Sequence, residues 1–593
     1  MRRVALPPPL EWPNFAVFLQ ETTARYSNRV ALRYRGRGEQ NFEEWTYGRL
    51  ATEASALARL LRDRGLGQGD RVALWSENRL EWAAAYLGVV AAGMVIVPID
   101  ALADEDEAAA ILSTAEVSAL VLSAKFTDSL GRLLRSAHSV STTVLLGAQH
   151  SQAGALTWEE VLARGGVSGV GASGAAAFAE SSSLASDAPA SIIFTSGTTG
   201  KPKGVVLSHG GIIANIDAAR QALPIDAEDV FMCVLPLHHT YPTTCSLLAP
   251  LSIGASATLC EKVVGKVIVD DVRDSRGSVM IAVPLLYDKL AQALLQGVAA
   301  RPLPVRALVR ILFGISRLGL ALSRPGVGVV LLAFLRAKTG LGSLRLLVAG
   351  GGPLSASTAA VFDRFGFSIV QGYGMSENGP LISTNSPEHR DHRSAGTPVL
   401  RTELRIADPG PDGIGEIQVR SPSLMLGYWR DSEASASVFT ADRWLRTGDL
   451  GKIDHRGFVF ITGRIKSIIV TAGGKNIYPE EIEAKFEGSR VVKEILVLGK
   501  PPEERGAELA EEVGAVAVPD LEAIAAERGE QYARDRELVR ALVKAEIERV
   551  NRSLPPYKKI SDFALRDEEF EKTSSKKIKR YLYRGWKEAT GLR

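Results

Sequence analysis

The sequence predicts a layered α/β protein: a large N-terminal domain of several subdomains with layered sheets and helices, then a small mobile α+β C-terminal domain. Three observations carry that prediction. Short apolar runs alternate with helix-period segments through the first third of the chain. A Gly-rich loop is flanked on both sides by apolar strands. An amphipathic helix near the C-terminus has one clean apolar face.

The elements follow in order. Arg71-Val-Ala-Leu-Trp75 reads as a strand and Leu80–Val90 as a helix. Gly93–Pro98 reads as a buried strand that Pro98 ends, because proline lacks the ladder donor. Glu105–Leu112 is a helix and Ala119–Leu122 a strand, giving the strand–helix alternation of parallel sheets. Residues 164–190, rich in Gly, Ala and Ser, read as a flexible surface connection. In Arg536–Val550, the spacing of Val539, Val543, Ile547 and Val550 makes one apolar face that needs a small sheet to pack on.

Composition narrows the class. At 593 residues the chain exceeds a single domain of roughly 100–200 residues. A hydrophobic fraction of 46% and a charged fraction of 23% exclude wholesale disorder. The three cysteines, Cys233, Cys245 and Cys260, cannot form a disulfide framework, which points to a reducing, cytoplasmic setting. Met1-Arg2-Arg3 opens like a signal peptide, but Pro7-Pro-Pro9 follows and no apolar core does. No nucleic-acid partner is expected.

Charge is unevenly spread. From Lys289 to Phe362 there is no Asp or Glu, while nine Lys and Arg residues occur there. Arg306, Arg310, Arg317 and Arg324 share one stripe of a helix among Leu, Ile and Val. Two readings of 301–345 stand side by side. One is peripheral contact with an anionic membrane at its inner face; the other is a core helix whose arginines reach acids elsewhere.

The strongest local signal is Thr195-Ser-Gly-Thr-Thr-Gly-Lys-Pro-Lys-Gly204, between Ser191–Phe194 and Val205–Leu207. Glycines allow close backbone approach to an anion, hydroxyls add donors, and lysines add charge. The pattern is not a Walker loop: Gly197 and Gly200 are too close, and a strand rather than a helix follows.

That decapeptide resembles the signature of the adenylate-forming enzymes, and the family's other motifs follow in order. They are Leu235-Pro-Leu-His-His239, Gln371-Gly-Tyr-Gly-Met-Ser-Glu377, Thr447-Gly-Asp449, Gly463-Arg-Ile-Lys466, Gly473–Glu483 and Lys572–Arg580. The resemblance implies a boundary between residues 1–465, the AMP-binding domain, and 466–593, which carries a catalytic lysine. It implies a two-step reaction with ATP, Mg²⁺ and coenzyme A, in which a carboxylate is adenylated and then passed to a thiol.

The resemblance also assigns roles. Thr195, Ser196, Gly197, Thr198, Thr199, Gly200 and Lys201 would hold the β- and γ-phosphates, Lys201 catalytically. Glu377 would hold Mg²⁺. Gly350, Gly351, Gly372, Gly374 and Ser376 would frame the nucleotide, with Tyr373 on the adenine. Asp449 would accept the ribose hydroxyls, with Arg464 nearby. Lys466 would be the hinge and Lys577 the catalytic lysine. His239 either lines the acyl site or is structural. The Ile469–Ile477 loop is similar to that of long-chain fatty acyl-CoA synthetases, which implies a medium- to long-chain fatty acid substrate. The alternatives are a ligase for an aryl or other acid, one loading a carrier protein, or a catalytically silent nucleotide-binding protein at a membrane.

Overall fold

A computed structural model describes residues 11–36, 38–165, 178–195, 202–261, 264–321, 332–470, 476–500, 512–572, 578–583 and 585–590. They form two compact units. Of the described residues, one holds the chain to Glu403 together with Val419–Leu445; the other holds Leu404–Gln418 and those from Arg446 onward.

The first unit contains two large sheets. The eight-stranded sheet runs Gly427–Tyr428, Lys203–Ser208, Pro189–Thr195, Val95–Ile99, Arg71–Trp75, Ala119–Ser123, Thr142–Leu146, Leu156–Thr157. It is parallel from Pro189–Thr195 through to Leu156–Thr157, and antiparallel at the Lys203–Ser208 end. The nine-stranded sheet has a parallel centre, from Val30–Tyr34 across Ser256–Leu259, Val230–Cys233, Val279–Ala282 and Leu346–Ala349 to Ser368–Gly374. The layered α/β class is therefore as predicted. The central strands are apolar throughout because helices cover both faces of a parallel sheet. Helix Leu80–Ala91, for instance, is buried along its whole length.

Two local readings need correction. The strand expected to stop at Pro98 runs to Ile99, because its register with Arg71–Trp75 continues through Leu74↔Pro98 to Trp75↔Ile99. On its other side it pairs with Pro189–Thr195 only at Ile96, so one missing donor is tolerated. The connection expected over 164–190 is not loose throughout. Phe178 is fully buried, Ala179–Ser183 forms a 3₁₀ turn, and Asn14 Nδ2 donates to Ser182 O and Leu184 O at 2.9 Å each. Residues 166–177 lie outside the described residues.

The second unit carries a four-stranded sheet, Glu403–Ala407, Gly415–Arg420, Leu445–Ile453 and Val459–Arg464. It also carries a three-stranded sheet of Val492–Lys500, Glu512–Pro519 and Asp562–Leu565. Helix Arg536–Asn551 starts on an Asp535 cap that accepts from the amides of Glu537 and Leu538. Its expected face is found: Val539, Val543, Ile547 and Val550 are buried in one cluster with Val497, Val513 and Ala515 of the sheet.

One buried group couples the first unit to pH. His209 has no exposed surface; its Nδ1 accepts from the Phe15 amide at 3.4 Å, and its Nε2 has no partner. Burial pushes the imidazole down from 6.5 to about 4. The unfolded chain then binds the proton first as pH falls, so this stabilisation is full above pH 6.5 and fades toward pH 4. A shift of that size is worth about 3 kcal/mol. His209→Asn, which keeps an acceptor for Phe15, should flatten the fall in melting temperature over that range; an unchanged slope would assign the acid sensitivity elsewhere.

Candidate active site

The antiparallel pair Pro189–Thr195 and Lys203–Ser208 places Thr195 opposite Lys203, so the Gly-rich segment leaves and re-enters the sheet at adjacent points. The Thr195 hydroxyl donates to the Lys203 carbonyl at 3.4 Å. Ser196, Gly197, Thr198, Thr199, Gly200 and Lys201 lie outside the described residues.

Strand Gly427–Tyr428 lies beside Lys203–Ser208, with Tyr428 opposite Val205. There the Tyr428 hydroxyl donates to Glu377 Oε1 at 2.9 Å, and Lys203 Nζ sits 4.8 Å from the Tyr428 ring centroid. Burial, and then the charge of Glu377, push the Tyr428 phenol far above its ordinary value. It is a permanent donor at any working pH. Glu377 is thus anchored at the base of the Gly-rich segment. Tyr428 was not among the residues singled out in the sequence. The Gly-Tyr-Trp run there carries no spacing signal, and only strand pairing brings it to Glu377.

The backbone under Glu377 is fixed from several directions. Strand Ser368–Gly374 carries Tyr373 and leads into the 3₁₀ turn Ser376–Asn378. The Glu377 carbonyl accepts from the Met425 amide at 2.9 Å. Asn378, fully buried, donates to Leu381 O at 2.8 Å and accepts from the Ser421 hydroxyl at 2.6 Å. Tyr373 itself is 9% exposed. Gly372 and Gly374 flank it on the same strand, and a Cβ on Gly374 would stand 2.2 Å from Pro380 O. The adjoining chain therefore demands glycine there whatever the ligand.

Gly350 and Gly351 follow strand Leu346–Ala349. A Cβ on Gly350 would fall 2.5 Å from Cζ of Tyr241, whose ring packs directly on this backbone. Before Tyr241 comes the histidine pair. Asn78 clamps that segment, donating to Leu235 O and accepting from the Leu237 amide, both at 2.9 Å. The His238 and His239 rings lie 4.0 Å apart, and His238 Nε2 is 3.3 Å from Asp100 Oδ2. The ligand atoms of Asp100, His238 and His239 fall within 4.8 Å of one another, near enough to share a metal ion. Although it lies near Asp100, the buried His238 Nε2 makes no hydrogen bond among the described residues. Cys233 and Cys245 are no nucleophiles here, since burial pushes both thiols up to about 12.

In the second unit, Asp449 and Arg464 are paired across two adjacent strands. Asp449 is 5% exposed, and its Oδ1 accepts from Arg464 Nε at 2.8 Å. The Thr447 hydroxyl accepts from the Asp449 amide at 3.1 Å and donates to Ile417 O at 2.6 Å, which fixes the turn. Lys466 sits in the 3₁₀ turn Ile465–Ser467, directly after that sheet.

The C-terminal lysine cluster is partly sorted by its partners. Lys572 Nζ pairs with Glu494 and, at 2.6 Å, with Glu569. Burial draws the Lys572 ammonium down, but the two carboxylates outweigh it and raise it overall. Lys579 Nζ lies 3.7 Å from Glu571, and Arg580 pairs with Glu483. Lys577, with residues 573–576, lies outside the described residues.

The family model for AMP-binding enzymes matches residues 19–429, most of the chain. The chain belongs to the AMP-binding enzyme family. These AMP-binding enzymes include the long-chain-fatty-acid–CoA ligase FadD15 of Mycobacterium bovis, 30% identical over 478 residues, or 77% of this chain and 75% of that protein. A long-chain-fatty-acid–[acyl-carrier-protein] ligase of Arabidopsis thaliana, AEE15, is 25% identical over 84% of this chain and 76% of its own. Among solved structures, ATP-bound MatB from Rhodopseudomonas palustris superposes with a TM-score of 0.72 at 25% identity, covering 96% of this chain and 98% of that one. The chain is an adenylate-forming ligase of the acyl- or aryl-CoA ligase kind.

Proposed function

We propose that this enzyme is an ATP- and Mg²⁺-dependent fatty acyl-CoA ligase for medium- to long-chain acids. The observation that carries the reading is Glu377, a carboxylate held by Tyr428 at the base of the Gly-rich segment. Hydrogen bonding to Tyr428 engages only Oε1 among the described residues, which leaves a hard oxygen suited to Mg²⁺. When bound, Mg²⁺ supplies charge neutralisation on the triphosphate.

In the first step a substrate carboxylate oxygen attacks the α-phosphorus of ATP, and the bond to the bridging oxygen breaks to release pyrophosphate. In the second, the thiol of coenzyme A loses its proton, attacks the acyl carbon and displaces AMP. Both steps place negative charge on oxygens that need cations and donors. Thr195, Ser196, Thr198, Thr199 and Lys201, with the loop glycines, would hold the outer phosphates. Tyr373 would pack on the adenine beside the Gly350–Gly351 and Gly372–Gly374 backbone, with Ser376 next to it. Asp449 would take the ribose hydroxyls with its second oxygen and Arg464 would lie alongside. His239 would face the acyl site. Lys466 would be the pivot for residues 466–593, because an exposed charge suits a backbone that must turn. The ion pairs of Lys572 and Lys579 support assigning the catalytic role to Lys577.

The fatty acid is favoured by the FadD15 relative, and coenzyme A by resemblance, since the sequence has no insertion between Arg464 and Asn476 of the kind that carrier-protein-loading relatives typically carry. AEE15 supports a second reading, transfer to a carrier protein. Pyrophosphate release with acids from acetate to oleate plus benzoate, with and without coenzyme A, separates them. Sustained turnover peaking at long chains and requiring coenzyme A is expected. Release that stops at one enzyme equivalent with coenzyme A present would favour the carrier protein, and a peak at benzoate would overturn the fatty acid.

Tyr428→Phe tests the anchor. It should raise the half-saturating Mg²⁺ concentration about tenfold, the usual cost of losing a group that orients a metal ligand. An unchanged Mg²⁺ dependence would remove Glu377 from the metal's ligands.

A further inference from the structure

Helix Leu303–Ala321 is apolar on two opposite sides. Its inner side carries Val309 and Ser316, 3% and 1% exposed, and Phe313, whose ring meets Phe365 edge-on with centroids 4.9 Å apart. Its outer side carries Leu308, Ile311 and Ile315, exposed at 56%, 61% and 43%. Their spacing makes one strip along the helix, and Ala307 and Gly314 fill it without a polar group. An apolar strip that faces outward in this way marks a surface that something covers.

The charges around the strip say what covers it. Arg306 and Arg310 run along one edge, and Arg317 continues their spacing in the sequence. Among the described residues, Arg301, Arg306 and Arg310 form no ion pair. The basic residues further along behave differently. Arg345 pairs with the buried Asp229, and Arg336 donates to the carbonyls of Gly366 and Leu344. The two readings of 301–345 therefore divide: the later arginines are used internally, and the helix keeps its own for an outside partner. A second copy of this chain would bring two acid-free, arginine-edged strips together, and like charges oppose that contact. Among the described residues no helix is long and apolar enough to cross a membrane, so the helix would lie in the interface rather than span it.

We infer that helix Leu303–Ala321 docks this protein on an anionic lipid bilayer. Leu308, Ile311 and Ile315 enter the boundary of the acyl chains, and Arg306 and Arg310 pair with lipid phosphates. The benefit to the enzyme rests on the fatty-acid reading, since such acids partition into bilayers. The docking itself does not, because lipid contact is read without turnover.

The test is flotation of the full-length protein with phosphatidylglycerol–phosphatidylcholine vesicles and with pure phosphatidylcholine vesicles, at low and high salt. Binding to the anionic vesicles that weakens with salt is expected. The triple variant Leu308→Ser, Ile311→Ser, Ile315→Ser should reduce that partition by about tenfold or more. Arg306→Ala with Arg310→Ala should remove the preference for anionic lipid. Thermal melts confirm that both variants fold. Absence of wild-type binding, or equal binding by the folded triple variant, would overturn the inference. So would a wild-type dimer that the triple variant converts to a monomer with no difference in flotation.

Discussion

Replacing Lys577 with alanine is expected to lower acyl-adenylate formation by about a thousandfold while ATP still binds. An ammonium about 4 Å from a phosphate oxygen is worth about 4 kcal/mol at a near-surface dielectric. At about 1.4 kcal/mol per tenfold, that is three orders of magnitude in rate. The interaction matters most as charge shifts onto the α-phosphate oxygens, so the loss belongs in kcat rather than in the affinity for ATP. Neighbouring lysines are the controls. Lys572 is held between Glu494 and Glu569 and Lys579 lies near Glu571, so alanine at either should cost far less. Single-turnover pyrophosphate release together with ATP binding by calorimetry makes the measurement. If Lys577→Ala releases pyrophosphate normally, the catalytic lysine is another member of the cluster.

Asp449→Ala should act in the opposite manner, raising KM for ATP by about a hundredfold or more with a smaller effect on kcat. Two ribose hydroxyls donating to a charged acceptor are worth about 1.5–3 kcal/mol each, and the sugar does not change during reaction. The buried position of Asp449 and its bond to Arg464 hold that acceptor in one orientation. A substrate lacking both ribose hydroxyls makes the check specific. On the wild type it should reproduce the KM defect, and on Asp449→Ala it should add nothing. Additive losses would mean that Asp449 acts on the fold of its turn and not on the sugar.

How much of this was legible in the sequence follows from the range of each interaction. The strands Arg71–Trp75 and Ala119–Ser123 and the helix Arg536–Asn551 were readable because periodicity is local. Pro98 misled because its effect depends on which neighbour its missing donor faces, a property of the sheet and not of the strand. Phe178 misled because a Gly- and Ser-rich context hides a single buried aromatic. At the site, ordered motifs named Tyr373, Glu377, Asp449 and Arg464. The Tyr428–Glu377 bond, the Asp100–His238 contact and the assignment of Leu404–Gln418 to the second unit all depend on pairings between distant parts of the chain. Such contacts leave no local pattern.

The burial of all three cysteines has a practical consequence. Cys233, Cys245 and Cys260 are 0%, 7% and 3% exposed, so aromatic disulfide reagents have no entry to them in the native protein. A colorimetric thiol titration of samples withdrawn during turnover would then follow consumption of coenzyme A against a blank background. The same dye would develop colour from the protein only after denaturant opens the core, so one reagent serves both as a sampled activity assay and as a reporter of unfolding.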